Sequence, residues 1–232
     1  MNTRRKFLIQ GSLASTAMLA LKPLNAVARI TSSFTGAGYS KLIFLHTANA
    51  DAGNTSHIIE YVKSKKKNTG AILLSAGEQI HNLPIQKACG ASAGIANDIH
   101  EKTDDYTIID KGRLRTGVIR INPGEINIIQ KVNSLSAYLK NKKNCTLVVC
   151  ISTLGYKNSN APNDFNLAAA STHLDIIIGG HSKNFYPHPY IVSNKNKQEV
   201  VIHSASGLVD TCGIIDIDFD EQGAKKQISF TA

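Results

Sequence analysis

Apolar positions along the chain come in short blocks with helical patterns between them. Lys41–His46, Ala71–Ser75, Cys145–Ser152 and Leu174–Ile178 are apolar runs of five to eight residues, the length and density of strands buried on both faces. Thr55–Lys66 carries a helical pattern, and Phe165–Thr172 a shorter one. Asn122-Pro123-Gly124-Glu125 has the order of a helix start. Asn would cap, Pro would take the first helical position and Glu the third, for a helix running to about Asn141. Residues 106–110 and 114–121 read as a hairpin around Gly112. Strands alternating with helices predict βαβ units and a largely parallel sheet.

The last third changes character. Tyr190–Ser193, Glu199–Ser204, Ile214–Asp220 and Gln227–Phe230 are short strand patterns with turns between them and no helix. They predict an antiparallel second sheet packed on the first. Ahead of all this, Arg4-Arg5-Lys6-Phe7-Leu8 leads into the apolar stretch Ile9–Leu21, then Pro23 and Ala26-Val27-Ala28. A basic head, a modest apolar region and a small-x-small site form an export signal, and the paired arginines resemble the twin-arginine type. The run carries Gly11, Ser12, Ser15 and Thr16 and is short for a spanning helix. The predicted organisation is a signal peptide over 1–28, a linker over 29–40 rich in Ser, Thr and Gly from Thr31 onward, and one domain over 41–232. The expected location is periplasmic or otherwise outside the cytoplasm.

Composition narrows the classes. The 232 residues, 42% of them hydrophobic, are enough for one sizeable α/β domain and too apolar for a disordered tail. Trp is absent and aromatics are 6%, which argues against stacking platforms for single-stranded nucleic acid. The net charge is +9, but Arg4, Arg5, Lys6 and Lys22 lie in the signal, leaving +5 for the rest. The lysine runs at 63–67, 140–143 and 195–197 read as solvated helix ends and a turn, and no nucleic-acid partner is expected. Of the four cysteines, Cys89, Cys145, Cys150 and Cys212, none forms a Cys-x-x-Cys pair. On a strand, Cys145 and Cys150 would point to opposite faces and could not bond each other; all four read as small buried hydrophobes.

In open α/β folds, ligands sit beyond the carboxyl ends of the strands. The chain places polar residues at four such ends: His46-Thr47-Ala48-Asn49-Ala50-Asp51, Ala76-Gly77-Glu78-Gln79, Ser152-Thr153-Leu154-Gly155-Tyr156 and Gly179-Gly180-His181-Ser182-Lys183. Oxygen and nitrogen side chains gathered in this way suit divalent cations and the two-metal hydrolase chemistry built on them. There is no Ser or Cys nucleophile motif, no P-loop and no dinucleotide fingerprint.

Phe44-Leu45-His46-Thr47, Ala76-Gly77-Glu78, Ser152-Thr153-Leu154-Gly155-Tyr156 and Asp175-Ile176-Ile177-Ile178-Gly179-Gly180-His181-Ser182-Lys183 together resemble the calcineurin-like metallophosphoesterases. Within that family they are most similar to the exported 5′-nucleotidase and 2′,3′-cyclic phosphodiesterase branch. The resemblance covers residues 41–82 and 106–220. It implies the metallophosphatase fold, an α/β architecture of two β-sheets face to face flanked by helices. It also implies phosphate-ester hydrolysis by a metal-activated water, with nucleotides as substrates.

Mapped onto this sequence, the family's metal ligands fall on Asn49, Asp51, Glu78 and His181, with Thr153 and Lys183 at two further ligand positions. Only His181 keeps the family's residue type. Glu78 stands for a bridging Asp, Thr153 for a His, and Lys183 for the second His of Gly-His-x-His. Thr coordinates divalent ions poorly, and a cationic Lys is not a ligand at neutral pH. His100, in Asn97-Asp98-Ile99-His100-Glu101, is the one candidate catalytic His, at a spacing the family does not use; the plainer reading of that stretch is the polar end of a short helix.

Three functions stay open on the sequence: a catalytically degenerate domain that binds a nucleotide or phosphate ester, an active hydrolase on a rearranged single-metal site, and a structural or surface-interaction protein. The cofactor implied is Mg²⁺, Mn²⁺, Ca²⁺ or Zn²⁺, and the substitutions leave a metal-free site open. The family's C-terminal substrate domain is expected to be absent, since the chain stops at Ala232, so a separate protein carrying such a domain is a candidate partner. Asp51, Glu78, Thr153 and His181 are expected to converge at one end of the sheets, with the Lys183 ammonium among the carboxylates.

Overall fold

Strand pairing divides the chain into two sheets. The computed structural model describes residues 41–47, 59–61, 63–64, 71–76, 99–121, 124–157, 162–180, 188–204 and 213–231, all within the unit Gly38–Ala232. Four strands, β1 (Lys41–Thr47), β2 (Ile72–Ser75), β10 (Gly213–Phe219) and β11 (Lys225–Thr231), form a sheet in the order β11-β10-β1-β2. Seven others form the second, in the order β3-β4-β5-β6-β7-β9-β8. These are β3 (Ile99–Lys102), β4 (Tyr106–Lys111), β5 (Leu114–Arg120), β6 (Leu147–Ser152), β7 (Ile176–Gly179), β8 (Tyr190–Ser193) and β9 (Glu199–Ser204). Strands β5, β6, β7 and β9 run parallel, as do β1 and β2, while the flanking pairs are antiparallel. Helices α1 (Ile128–Asn141) and α2 (Asp164–Ala170) are described in full, and residues 59–61 and 63–64 are also helical.

The period of two along each strand builds two apolar layers. Leu42, Phe44, Ile215, Ile217 and Phe219 of the smaller sheet pack against Val149, Ile151, Ile176, Ile178 and Val201 of the larger. The opposite face of the larger sheet presents Val148, Cys150, Ile177, Val200 and Ile202 to Val132 and Leu139 of α1 and Leu167 of α2. Because β6 and β7 are covered on both faces, every residue in them is buried. On α1 the buried residues are Ile128, Val132, Ser136 and Leu139, one helical face. It settles on β5 at Gly117, where a Cβ would come within 2.8 Å of the Leu139 side chain.

Charge ties the layers together at the amino ends of the parallel strands. Asp175, just before β7, receives Lys140 Nζ of α1 at 2.8 Å and Lys225 Nζ of β11 at 2.6 Å. It also accepts the Val148 N–H at 2.8 Å. One carboxylate thereby joins α1, β6 and the smaller sheet.

The two face-to-face sheets with flanking helices agree with the fold read from the sequence, but the strands are shared out differently. The last four strands do not make a sheet of their own: β8 and β9 extend the larger sheet, while β10 and β11 complete the smaller one beside β1. Helix α1 starts at Ile128, since Gly124 (φ 82°) and Asn127 (φ 57°) sit in the left-handed region and interrupt any earlier helix. Residues 99–102 are a strand paired to β4, not a helix end. Cys145 precedes β6 and shares the helix-side layer with Cys150, so the two do not lie on opposite faces. Both are free thiols, raised by burial, Cys145 to about 11; Cys89 and Cys212 lie outside the described residues. Among the described residues no helix is long and apolar enough to cross a membrane.

Candidate functional site

Register fixes where the strands end. Thr47 of β1 lies beside Ser75 of β2, and Ser152 of β6 beside Gly179 of β7, which lies beside Ser204 of β9. The carboxyl ends are therefore level within each sheet. One side-chain contact brings the two sheets' ends together: His46 Nε2 of β1 and His203 Nδ1 of β9 are 2.5 Å apart, rings edge to face, in the layer between the sheets. All the strand ends singled out in the sequence thus open at the same edge of the sandwich.

The imidazole pair is buried, His46 fully. Gly213 of β10 lies directly against it, with no room for a Cβ, which would fall 2.3 Å from His46 Nε2. The Phe230 ring flanks His203 at 5.4 Å between centroids. An apolar layer disfavours imidazolium. Burial, then the neighbouring His203, holds His46 well below its ordinary range, and burial brings His203 down to about 4. At neutral pH both rings are uncharged, one donating and the other accepting, and His46 Nδ1 is buried without a hydrogen bond. The two rings come from positions 157 residues apart, and no local pattern in the sequence pairs them.

On the helix side of the same edge a second polar group forms. Asp164, the first residue of α2, is 2% exposed, and its Oδ1 accepts the Ser152 hydroxyl in a short hydrogen bond. Burial pushes its carboxyl up to about 7, with the Ser152 bond pulling the other way. Ser152 Oγ accepts the Leu154 N–H at 3.1 Å, the Gly180 N–H reaches the Ser152 carbonyl at 2.9 Å, and Ser204 Oγ donates to the Gly179 carbonyl at 3.1 Å. Nothing in a single sequence marks Asp164, since an acid in the first turn of a helix is commonplace.

Of the sequence-predicted site residues, Thr153 lies at the β6 end, with Oγ1 buried and making no hydrogen bond. Asn49, Asp51, Glu78, His181 and Lys183 lie outside the described residues. Among the described residues no group of three or more His, Cys, Asp or Glu side chains is placed to hold a metal ion. His100 stands elsewhere. It is exposed on the edge strand β3, 3.4 Å from Asp110. Pairing carries the level of Ile99 through Ile109 and Thr116 to Leu147, the first residue of β6. That sets His100 three strands, ~15 Å, to the side of β6 and roughly 17 Å below its Ser152 end.

No family model matches the chain. An apyrase from Aedes aegypti is 26% identical over 151 residues, 57% of this chain and 24% of that protein. Three solved structures share the fold. A 5′-nucleotidase precursor from Thermus thermophilus matches with a TM-score of 0.55 at 16% identity, over 82% of this chain and 54% of that one. The NAD nucleotidase of Haemophilus influenzae gives 0.58 at 12%, over 83% and 49%. A putative 5′-nucleotidase from Staphylococcus aureus gives 0.53 at 12%, over 82% and 54%. The chain spans about half the length of these structures and a quarter of the apyrase. What it has in common with the nucleotidases is the fold, two mixed sheets face to face with helices outside.

Proposed function

We propose that residues 41–232 form an exported nucleotidase-type phosphoesterase domain that binds a nucleotide or related phosphate ester and is catalytically degenerate. The observation that carries the reading is the shared edge. Strand ends of both sheets open together, joined by His46 and His203, and the chain leaving those ends carries Asn49, Asp51, Glu78, Thr153, His181 and Lys183. The nucleotidase structures and the apyrase, by their names, point to phosphate esters of nucleotides as the ligand class.

A metal pair fits this donor set badly. Asn49, Asp51, Glu78 and His181 supply oxygen and nitrogen donors for one hard or borderline cation. Thr153 and Lys183 offer nothing comparable for a second, and the buried Thr153 Oγ1 is a weak donor to a divalent ion. A bound cation would polarise a phosphoryl oxygen or acidify a water. The alternative reading, an active hydrolase on a single-metal site, draws on the same four donors.

The signal over 1–28 and the linker over 29–40 belong to the same proposal, with delivery through the twin-arginine route to the periplasm or another space outside the cytoplasm. A separate protein carrying a nucleotidase C-terminal-type domain is the proposed partner. The test is elemental analysis of protein purified without chelator, with turnover of a chromogenic phosphodiester and calorimetry with 5′-AMP. AMP binding with negligible turnover supports the proposal. Two metals per chain and chelator-sensitive turnover on the order of 1 s⁻¹ refute it, and one metal with such turnover favours the single-metal hydrolase. No metal, no turnover and no AMP binding leaves the structural or surface-interaction role.

A further inference from the structure

The end of β7 is a second crowded point at the site edge, beside the one at Gly213. A Cβ on Gly179 would lie 2.9 Å from Asp164 Oδ2 and 3.8 Å from Ser204 Cβ. The glycine is required there by space, because the Asp164 carboxyl fills the volume a side chain would take. The other oxygen of that carboxyl holds the Ser152 hydroxyl at the end of β6. One buried group therefore touches the last residues of two neighbouring parallel strands.

It is not serving its own helix. The cap of α2 is Asn163, whose side chain accepts the Asn166 N–H at 2.8 Å. The Asp164 backbone is tied to the loop after β6, its N–H reaching the Gly155 carbonyl at 2.9 Å. A carboxyl buried for a single hydroxyl partner lowers stability unless the arrangement returns something. The arrangement meets, at one atom group, the two points from which the chain leaves the sheet toward Thr153 and toward His181.

We propose that Asp164 is a positioning residue for the strand-end site: its carboxyl clamps the ends of β6 and β7 to each other and sets where the chain departs after Ser152 and after Gly180. This rests on the reading of that edge as the ligand site. The clamp itself has a consequence that needs no ligand. The Gly180 N–H bonds to the Ser152 carbonyl and the Leu154 N–H to the Ser152 hydroxyl, so these two amides report on it.

The experiment compares wild type, D164A, D164N and G179A by amide hydrogen exchange and by calorimetry with 5′-AMP. D164A is expected to speed exchange at Gly180 and Leu154 at least about tenfold, with Ile108 and Val118 in β4 and β5 unchanged as references. D164N keeps an oxygen to accept the Ser152 hydroxyl and is expected to restore both amides to within about threefold of wild type. G179A displaces the carboxyl from the other side and should reproduce the D164A pattern, which keeps the test decisive where D164A fails to fold. AMP affinity should fall at least about tenfold in D164A and G179A and return in D164N. Unchanged exchange at Gly180 in both D164A and G179A overturns the clamp. Faster exchange with unchanged AMP affinity makes Asp164 a strut only and overturns its positioning role. A wild-type chain that binds no AMP refutes the ligand reading instead, and the exchange pattern alone then decides the clamp.

Discussion

Two buried titrating groups at one edge of the sandwich should pull stability in opposite directions over the same pH window. His203 is held at about 4 in the folded chain, against about 6.5 when unfolded. The unfolded chain takes up the proton first, so the folded state keeps its full stability above about 6.5 and loses it as pH falls toward 4. At 1.36 kcal/mol per pH unit the loss is about 3 kcal/mol. His46 adds to it in the same direction, since burial lowers it as well. Asp164 is raised to about 7, against about 3.9 unfolded. Here the folded chain holds the proton longer, so stability is full below about 4 and lost as pH rises through 7, by about 4 kcal/mol. Urea midpoints measured from pH 4.5 to 7.5 separate the two. D164N removes the acid titration, so its stability relative to wild type should climb with pH, by up to about 4 kcal/mol or roughly 2 M in midpoint at m of about 2 kcal/mol/M. H203N removes the other, so its stability relative to wild type should climb as pH falls, by up to about 3 kcal/mol. Relative profiles that are flat, or that slope the same way in both variants, would refute the assignment of the two groups.

Other measurements bear on the fold and the proposed site. D175A would leave Lys140 with the Thr146 carbonyl in place of a carboxylate, take the carboxylate from Lys225, and strip the Val148 N–H of its acceptor. With both lysines partly exposed, the expected cost is about 2–3 kcal/mol, a fall of roughly 5–10 °C in melting temperature by calorimetry. Under the degenerate reading, dialysis against EDTA should shift the urea midpoint by less than about 0.2 M, near the resolution of linear extrapolation; a larger fall, reversed by Mn²⁺, would show a structural cation. K183M tests whether the Lys183 ammonium stands in for a cation among Asp51 and Glu78: it should lower the melting temperature in EDTA, and added Mn²⁺ should restore it. A melting temperature unchanged in both conditions would assign Lys183 to solvent.

The parallel elements were legible because a strand buried on both faces writes itself as an unbroken apolar run. Leu147–Ser152 and Ile176–Gly179 are such strands, and the helix Asp164–Ala170 lies between them, where the sequence pattern at Phe165–Thr172 put it. Sheet membership was not legible. The pattern Gly213–Phe219 alternates like any strand with one face inward, and nothing in that period says that its neighbour is Lys41–Thr47, some 170 residues earlier. The α1 start was misread because Asn-Pro-Gly-Glu satisfies the capping pattern, while the decisive feature, a left-handed backbone at Asn127, is set by tertiary packing. Ile99–Lys102 is too short and polar to show a period, and becomes a strand only by pairing with β4.

The same distinction applies to the site. The polar groups buried at the strand ends were not legible, since Asp164 and His203 meet Ser152 and His46 only when distant segments come together. Those groups belong to the strands and helices and not to the ligand positions. His46 and His203 join the two sheets at the carboxyl end. Lys225 and Asp175 join them at the amino end, and Asp164 joins β6 to β7 on the helix side. None of these three ties is made by residues 49, 51, 78, 181 or 183. Under the proposed reading, exchanges at those positions leave each of these three ties in place. On that reading the stability of this chain should respond more to His203, Asp164 and Asp175, which make the ties, than to an added cation.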